Sequence, residues 1–274
     1  MMSAAPTIAF IGAGNMASSI IGGLVATGHP PGSIIASDPN TDALHKLAAQ
    51  SGIQTSSDNA TAVKEANIVV LSVKPQIMQL VCESLVDYLS ANTLTISIAA
   101  GINCNSLKQW LNKKQPIVRC MPNTPALVQA GASALFANKK TSDEQRKQAE
   151  TILSAVGTVN WVEKEDDLDA VTAVSGSGPA YFFLMIEAMI DAGVKQGLSR
   201  ETATTLASQT AFGAAKLALS SEVDVAELRR RVTSPNGTTA EAIASFEHDN
   251  FRTVVENAML ACADRSRELA KELG

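Results

Sequence analysis

The pattern of hydrophobic and polar positions divides the chain into two parts. In the first part, short apolar runs alternate with segments in which apolar residues recur every three or four positions, as in strands and amphipathic helices. The predicted strands cover residues 7–11, 33–36, 68–73, 93–98, 117–120, 133–137 and 158–162. The predicted helices cover a segment that ends at Gly28, then 42–50, 60–66, 77–89, 106–112 and 143–156. The alternation predicts right-handed crossovers and a doubly wound sheet.

The second part, from Asp166 onward, has no strand pattern. Its predicted helices cover residues 179–196, 200–219, 225–232, a segment from Thr238 to Phe246, and 248–273. Many small residues within 200–219 predict closely packed helices. The predicted fold is therefore α/β: a Rossmann-type doubly wound sheet in residues 1–163, followed by an all-helical dimerisation domain in residues 164–274. Because the helical part is short and rich in apolar residues, we expect an obligate homodimer, with a higher assembly of dimers left open.

Composition and charge exclude several classes of function. Of the 274 residues, 22 are Lys or Arg and 27 are Asp or Glu, a net charge of −5 without the basic excess that nucleic-acid binding needs. The apolar stretch 180–190 is short and contains Glu187, so we expect no membrane span. The first apolar run has no Lys or Arg before it, so we expect no signal peptide. The 4 cysteines and 3 histidines show no metal-ligand spacing, which favours free thiols in a reducing cytoplasm and no metal.

A glycine motif follows the first predicted strand. Gly12-x-Gly14-x-x-Ala17, with Asn15 and Met16 between, has the dinucleotide-binding pattern with Ala as its third small residue. Gly12 permits a tight turn, Gly14 lets the backbone approach a pyrophosphate, and the following helix offers its N-terminal N–H groups to the phosphates. The motif predicts an NADPH or NADH site; the alternative is a glycine turn that binds no ligand.

Further candidate cofactor residues follow other strands. In doubly wound sheets the ligand lies beyond the carboxyl ends of the strands, which is where we place Val73, Lys74 and Pro75, the turn Ala99-Ala100-Gly101, and Ser37 with Asp38. A carboxylate at Asp38 would bind a ribose 2′-hydroxyl and repel a 2′-phosphate, which favours NADH. The alternatives are a solvated surface lysine at Lys74 and an Asp38 that only shapes a turn.

Two segments of the helical part resemble loops that bind a small anion. Ser175–Ala180 places two serines and two glycines before a helix, so several N–H groups should be exposed. In the segment 233–241, Thr238 and Glu241 have the spacing of a capping box, and Asn236-Gly237 permits positive φ. Converging N–H groups there would suit a carboxylate. The alternative for each loop is an ordinary helix cap.

The motifs together resemble those of the pyrroline-5-carboxylate reductase family. The matching stretches, in chain order, are FIGAGNMA at 10–17, VKPQ at 73–76, SIAAG at 97–101, RCMPNTP at 119–125, VSGSGPA at 174–180 and VTSPNGTT at 232–239. The resemblance implies an N-terminal NAD(P)H domain and helical domains that interleave in a dimer. It also implies a substrate cleft at the dimer interface, where hydride reaches the C=N carbon of 1-pyrroline-5-carboxylate to give proline.

The resemblance also implies the substrate residues. The family's loop corresponds to Ser234, Gly237, Thr238 and Thr239, which would hold the substrate carboxylate and ring nitrogen. Thr239 is the best candidate for a proton donor, with Ser234 as a second catalytic residue, and Ser177 and Gly178 complete the set. Asn236 replaces the first glycine usual in that loop, and because Asn tolerates positive φ we expect the backbone shape to survive.

Two other functions remain to be weighed. The β-hydroxyacid dehydrogenase family has a similar two-domain plan. Its members have a catalytic lysine midway along the first helix of the second domain. Here that helix offers only Lys195, at its far end. A nucleotide-binding regulator without turnover is the other alternative, against which the intact loops at 175–180 and 234–239 argue.

Overall fold

An eight-stranded sheet forms the N-terminal part of the molecule. The computed structural model describes residues 5–111 and 114–273. The strands are β1 (Ile8–Ile11), β2 (Ile34–Ser37), β3 (Gln54–Ser56), β4 (Ile68–Leu71), β5 (Leu94–Ser97), β6 (Ile117–Met121), β7 (Gly131–Ala137) and β8 (Gly157–Trp161). Their order is β3-β2-β1-β4-β5-β6-β7-β8. The predicted doubly wound sheet is confirmed.

The sheet departs from the prediction in two places. Strand β3 has no apolar run in the sequence, because this short edge strand pairs only with β2 and is largely exposed. Strand β7 runs antiparallel to β6, so the sheet is mixed. The six-stranded portion from β3 to β6 is entirely parallel.

The described residues also contain twelve α-helices. They are α1 (Asn15–Ala26), α2 (Thr41–Ser51), α3 (Asn59–Val63), α4 (Pro75–Leu85), α5 (Cys104–Trp110), α6 (Asp143–Ser154), α7 (Asp167–Val171), α8 (Gly178–Lys195), α9 (Arg200–Ser220), α10 (Val225–Arg231), α11 (Thr238–His248) and α12 (Phe251–Leu273). Short 3₁₀ turns occur at Pro31–Ser33 and Thr124–Val128. The sequence missed α7, and the last residue of the predicted helix 106–112 lies outside the described residues.

Helix ends follow local chemistry. Helix α4 begins at Pro75, two residues before the predicted start, because proline fits the first turn, where its missing N–H costs nothing. Asn103 caps α5 by accepting a hydrogen bond from the N–H of Ser106. Ser142 and Gln145 form a capping box at α6. After Trp161 the described residues contain no strand, as the pattern predicted.

Apolar layers cover both faces of the sheet. Every residue of β1, β4 and β5 is buried. Alternate residues of β1 enter different layers: Ile8 and Phe10 pack with α1, α2 and α6, whereas Ala9 and Ile11 pack with α3, α4 and α5. Strands buried on both faces explain why their sequences are continuously apolar.

The chain packs as two compact units. One consists of residues 1–177 with 262–274, and the other of residues 178–261. The C-terminal end of α12 therefore belongs to the sheet unit, where the Ser266 hydroxyl donates to the Asp169 carboxylate at 2.6 Å. The predicted division between residues 163 and 164 follows the change in element type and remains a prediction.

The helical unit leaves large apolar side chains exposed. Three consecutive residues of α8, Phe182, Phe183 and Leu184, are 67%, 64% and 65% exposed. Helices α8 and α9 pack closely through small residues, since a Cβ built on Gly193 would lie 3.3 Å from the Ala203 Cβ. The stretch Asp167–Lys195 is long and apolar enough to cross a membrane by length and composition, with 11% of its most apolar window buried.

Candidate active site

The sheet order reverses between β1 and β4, and the candidate site lies at that switch point. From β1 the chain moves outward to β2 and β3, then returns to place β4 on the other side of β1. Turns that leave adjacent strands in opposite directions open a crevice at the carboxyl edge of the sheet. The glycine turn leaves β1 there, and Ser72–Pro75 leaves β4.

The glycine turn is held from both neighbouring strands. Gly12 has φ +99°, and a Cβ at this position would lie 2.7 Å from the carbonyl oxygen of Ser72. The Gly12 N–H donates to the Ser37 carbonyl at 2.7 Å. The Ser72 hydroxyl lies 2.9 Å and 2.8 Å from the carbonyl oxygens of Ile11 and Gly12. Only glycine satisfies both the positive φ and this close approach.

Gly14 behaves differently, because the space around it is open. It caps α1 with extended dihedrals, φ −70° and ψ 180°, and forms no side-chain cap. A Cβ at Gly14 would meet nothing within 4 Å. No backbone or packing requirement of the described residues therefore explains a glycine here. The open space in front of the first N–H groups of α1 fits a phosphate, as the motif predicts.

A cavity of about 400 Å³ extends from this turn along the carboxyl ends of the strands. Nine of the predicted cofactor residues line it: Gly14, Asn15, Met16, Ala17, Val73, Lys74, Pro75, Ala99 and Ala100. Sequence reasoning missed seven further lining residues: Ser72, Ile98, Met121, Pro122, Asn123, Thr124 and Gly176. Four of them, residues 121–124, could have been found from the sequence. They lie at the end of β6, and because β6 is parallel to β5 its carboxyl end lies at the same edge of the sheet.

Four predicted cofactor residues lie outside that lining, and each has a local role. The Ser37 hydroxyl donates to Asn59 Oδ1 at 2.7 Å. Asp38 accepts from the N–H of Ala13 and from the N–H of Asn40, each at 2.8 Å. Gly12 makes the turn itself. Gly101 has φ +74° and lies against Leu269: a Cβ added to Gly101 would be 3.2 Å from the Leu269 Cβ. Their contacts with a cofactor remain predictions.

The predicted loop at Ser175–Ala180 is wrong in part, because most of it is helical. Residues Thr172–Gly176 form one π-helical turn, closed by the Ser177 N–H, which donates to the Thr172 carbonyl at 2.8 Å. The Cys262 thiol lies 3.3 Å from the Ser177 hydroxyl. Gly178 begins α8. The N–H of Ser177 is therefore already engaged, which the run of Ser and Gly in the sequence did not show.

The second predicted loop, before α11, keeps its shape but not its predicted cap. Asn236 has φ +59°, the left-handed conformation expected of it. The N-cap is Gly237 rather than Thr238, with no side-chain cap bond, so the predicted capping box is wrong. The extended Gly237 starts the helix one residue earlier, since its carbonyl already accepts from Ala240 and Glu241.

The early start of α11 changes what Thr238 and Thr239 can do. They are its first two residues, and their N–H groups have no acceptor among the described residues. Ser234, Thr238 and Thr239 are exposed. The Ser234 carbonyl accepts the Gly237 N–H at 3.0 Å, which closes the turn. The two threonines therefore present donors to a space outside this loop.

Buried thiols are unsuited to nucleophilic chemistry. Burial raises the pKa of Cys82, Cys104 and Cys120 to about 12. These thiols stay protonated at neutral pH, and the thiolate is the reactive form. Cys262, half-buried, is the fourth free cysteine. Among the described residues no group of three His, Cys, Asp or Glu could hold a metal ion.

The switch-point cavity and the open helix N-terminus at Gly14 are features of a dinucleotide-binding protein with a Rossmann-type sheet. Two family models match: "NADP oxidoreductase coenzyme F420-dependent" over residues 7–101, and "Pyrroline-5-carboxylate reductase dimerisation" over residues 165–269. A curated pyrroline-5-carboxylate reductase of Pseudomonas aeruginosa is 58% identical over 98% of both chains.

Solved structures agree. A pyrroline-5-carboxylate reductase from Coxiella burnetii has a TM-score of 0.94 and 44% identity over 97% of this chain and 99% of its own. The enzyme from Plasmodium falciparum, solved with NADP bound, has a TM-score of 0.86 and 32% identity over the same shares. The chain belongs to the pyrroline-5-carboxylate reductase family.

Replacing Gly14 by Val tests the phosphate site. The open space at Gly14 should accept the branched side chain without disturbing the fold, but that side chain would occupy the position of the phosphates. We expect NADPH affinity to fall at least about tenfold, roughly 1.4 kcal/mol, while the thermal unfolding midpoint stays unchanged. Fluorescence titration and a melting curve measure the two effects, and undiminished NADPH binding would refute the site.

Proposed function

We propose that this protein reduces 1-pyrroline-5-carboxylate to L-proline with NADPH or NADH, the last step of proline biosynthesis. Membership of the family supports the reaction, and the cavity that joins Gly14 to Ala99 and Gly176 is the observation that carries it. Hydride is added to the C=N carbon and a proton to the ring nitrogen, while the nicotinamide is oxidised. The cofactor supplies the hydride when bound.

The sheet unit supplies the cofactor side of the site. The N–H groups at the start of α1 face the open space at Gly14 and would bind the pyrophosphate. The small side chains of Ala99 and Ala100 leave room along the cavity wall. The Asp38 carboxylate accepts hydrogen bonds from the N–H groups of Ala13 and Asn40, and the first of these bonds stabilises the glycine turn. Its carboxylate keeps capacity for a ribose hydroxyl.

The segments at Ser177–Gly178 and Ser234–Thr239 supply the substrate side. The N–H groups of Thr238 and Thr239 at the start of α11 suit a carboxylate, because each lacks an acceptor in the described residues. A ring nitrogen two atoms from that carboxylate comes within reach of the Thr239 hydroxyl, which relays the proton: it gives its own proton to the nitrogen and takes another from solvent, to which it is exposed. Ser234, Ser177 and Gly178 complete the contacts. Orientation lowers most of the barrier, and no metal is required.

The β-hydroxyacid dehydrogenase alternative is not favoured. Lys195 is the last residue of α8, not a residue midway along it. A 3-hydroxyisobutyrate dehydrogenase of Mycobacterium tuberculosis has a TM-score of 0.52 at 19% identity, a likeness that extends to the fold alone. A regulator without turnover is not favoured either, because relatives of 58% and 45% identity are reductases.

The protein acts as a homodimer, with a higher assembly of dimers left open. Phe182, Phe183 and Leu184 are consecutive on a helix, so they point to different sides of α8, and all are exposed in one chain. A helix that is apolar on most sides needs to be buried. A second copy supplies that burial better than a bilayer, because the matched dimerisation model includes this helix. We place the enzyme in the cytoplasm, where reduced thiols and its soluble substrate fit.

An assay of NADPH and NADH oxidation with 1-pyrroline-5-carboxylate tests the function. We expect turnover with both cofactors, because the two bonds to Asp38 weaken its ability to exclude a 2′-phosphate. 3-Hydroxyisobutyrate with the oxidised cofactors is the control for the alternative. If no proline forms with NADPH and none forms with NADH, the proposal is overturned. If proline forms with NADH but not with NADPH, Asp38 selects NADH.

Sedimentation of the protein tests the dimer. We expect a dimer or a multiple of it at all concentrations that support activity. Replacing Phe183 by Glu would place a charge in the buried interface, and we expect it to abolish both assembly and activity, whereas Glu222→Gln at an exposed turn should change neither. A folded, active monomer contradicts the dimer.

Substitution of Thr239 tests the proton donor. We expect Thr239→Ala to lower kcat by about tenfold or more, the low side of general-acid catalysis, with NADPH affinity nearly unchanged. Thr239→Ser returns the hydroxyl and should recover much of the rate, while Thr151→Ala, at an exposed position of α6 outside the site, is the control. A Thr239→Ala enzyme with parental kcat across the pH range would show that solvent, not this hydroxyl, supplies the proton.

A further inference from the structure

The carbonyl of Ser175 has lost the donor that an α-helix would give it. In an α-helix, this oxygen accepts from the N–H four residues on, and that residue is Pro179, which has no N–H. The π-helical turn Thr172–Gly176 ends three residues before the proline, and the Ser177 N–H already donates to the Thr172 carbonyl. The chain therefore needs a donor from elsewhere to satisfy Ser175.

Asn123 supplies that donor from the turn after β6. Its side-chain amide nitrogen donates to the Ser175 carbonyl at 3.0 Å, and its amide oxygen accepts from the Ala132 N–H at 2.9 Å. The residue is only 8% exposed. Asn123 thus links the turn after β6 and the start of β7 to the π-helical turn, with both ends of one amide in use.

The linked turn forms part of the candidate site. Gly176 lines the cavity beside Asn123, and a Cβ on Gly176 would overlap the terminal methyl of Met121. The next residue, Ser177, is a predicted substrate contact. A shift of the Ser175 carbonyl would therefore move the cavity wall on one side and the Ser177 hydroxyl on the other.

We propose that Asn123 is a positioning residue, whose amide replaces the N–H absent at Pro179 and so sets the place of Gly176 and Ser177 in the active site. The proposal rests on the proposed function for the reaction it affects. It assigns no proton or hydride step to Asn123. Its effect acts through the turn it holds, where a misplacement of about 1 Å can cost about 10²-fold in rate.

Asn123→Asp separates the two halves of the amide. The introduced carboxylate can still accept from Ala132 but cannot donate to Ser175 until it is protonated. We expect kcat to fall about tenfold or more near pH 8.5, with the dissociation constant of NADPH, measured by fluorescence, changed less than about threefold because Gly14 and α1 bind the phosphates. As the pH falls towards about 6, protonation restores a donor, so the ratio of variant to parental kcat should rise.

Asn138→Asp is the matched control. Asn138 lies at the opposite end of the β6–β7 pair, where its amide also donates to a backbone carbonyl, that of Gln115 at 3.0 Å, and accepts a backbone N–H, that of Lys140 at 3.0 Å. It does not line the cavity. We expect it to lower the melting temperature about as much as Asn123→Asp, without the loss of kcat or its pH dependence.

Pro179→Ala provides a second variant. It returns an N–H to residue 179, so the double variant Asn123→Asp, Pro179→Ala should regain part of the lost kcat at pH 8.5. If Asn123→Asp does not fold alone, the double variant and Asn123→Ser, which keeps a donor, replace it. Parental kcat in Asn123→Asp at every pH overturns the proposal, and so does a loss of kcat that is independent of pH and unrelieved by Pro179→Ala.

Failure of the proposed function has a different signature. If the parent protein itself forms no proline, the function fails, and the turn is judged by alkylation of Cys262, whose thiol lies 3.3 Å from the Ser177 hydroxyl. We expect Asn123→Asp to change the alkylation rate of Cys262 about tenfold relative to Asn138→Asp, as expected for a loosened local structure. Equal rates in both variants would overturn the proposal.

Discussion

The close approach of β1 and β4 at their carboxyl ends is the constraint on which the site depends. A Cβ at Gly12 would lie 2.7 Å from the Ser72 carbonyl oxygen, so the two strands can meet there only because Gly12 has no side chain. The Ser72 hydroxyl and the Ser37 carbonyl fix the turn from opposite sides. The first N–H groups of α1 therefore point into the crevice where the sheet order reverses, and the other walls of the cavity follow from the parallel neighbours β5 and β6.

At two places beside the site, a side-chain carboxylate and a side-chain amide hold the backbone in position. Asp38 accepts two backbone N–H groups, and Asn123 donates and accepts one bond each. Both residues hold turns that border the cavity. A preorganised site of this kind suits imine reduction, in which the cofactor carries the reducing equivalents and the protein mainly orients two reactants.

Prediction from the sequence succeeded where one local rule decided the outcome. Continuous apolar runs identified β1, β4 and β5, because a strand buried on both faces has no polar side. The glycine motif identified the turn before α1. Prediction was wrong where partners distant in sequence meet: Asn123 donates to the Ser175 carbonyl, 52 residues away, in a π-helical turn that extends into the segment where Ser and Gly suggested a loop. The predicted cap of α11 was wrong because the N-cap residue is Gly237, which has no side chain to accept a hydrogen bond.

The sequence by itself determined the fold class, the glycine turn and the family, since each depends on residue types at fixed spacing along the chain. The tertiary structure alone decided which candidates line the cavity, and Val73, Lys74 and Ala99 do. Ser37 and Asp38 lie outside its lining, where the Ser37 hydroxyl donates to Asn59 and the Asp38 carboxylate accepts two backbone N–H groups. It also added residues 121–124 and Gly176 to the wall. Strand register and hydrogen-bond partners depend on contacts between distant segments, and such contacts leave no periodic trace in the sequence.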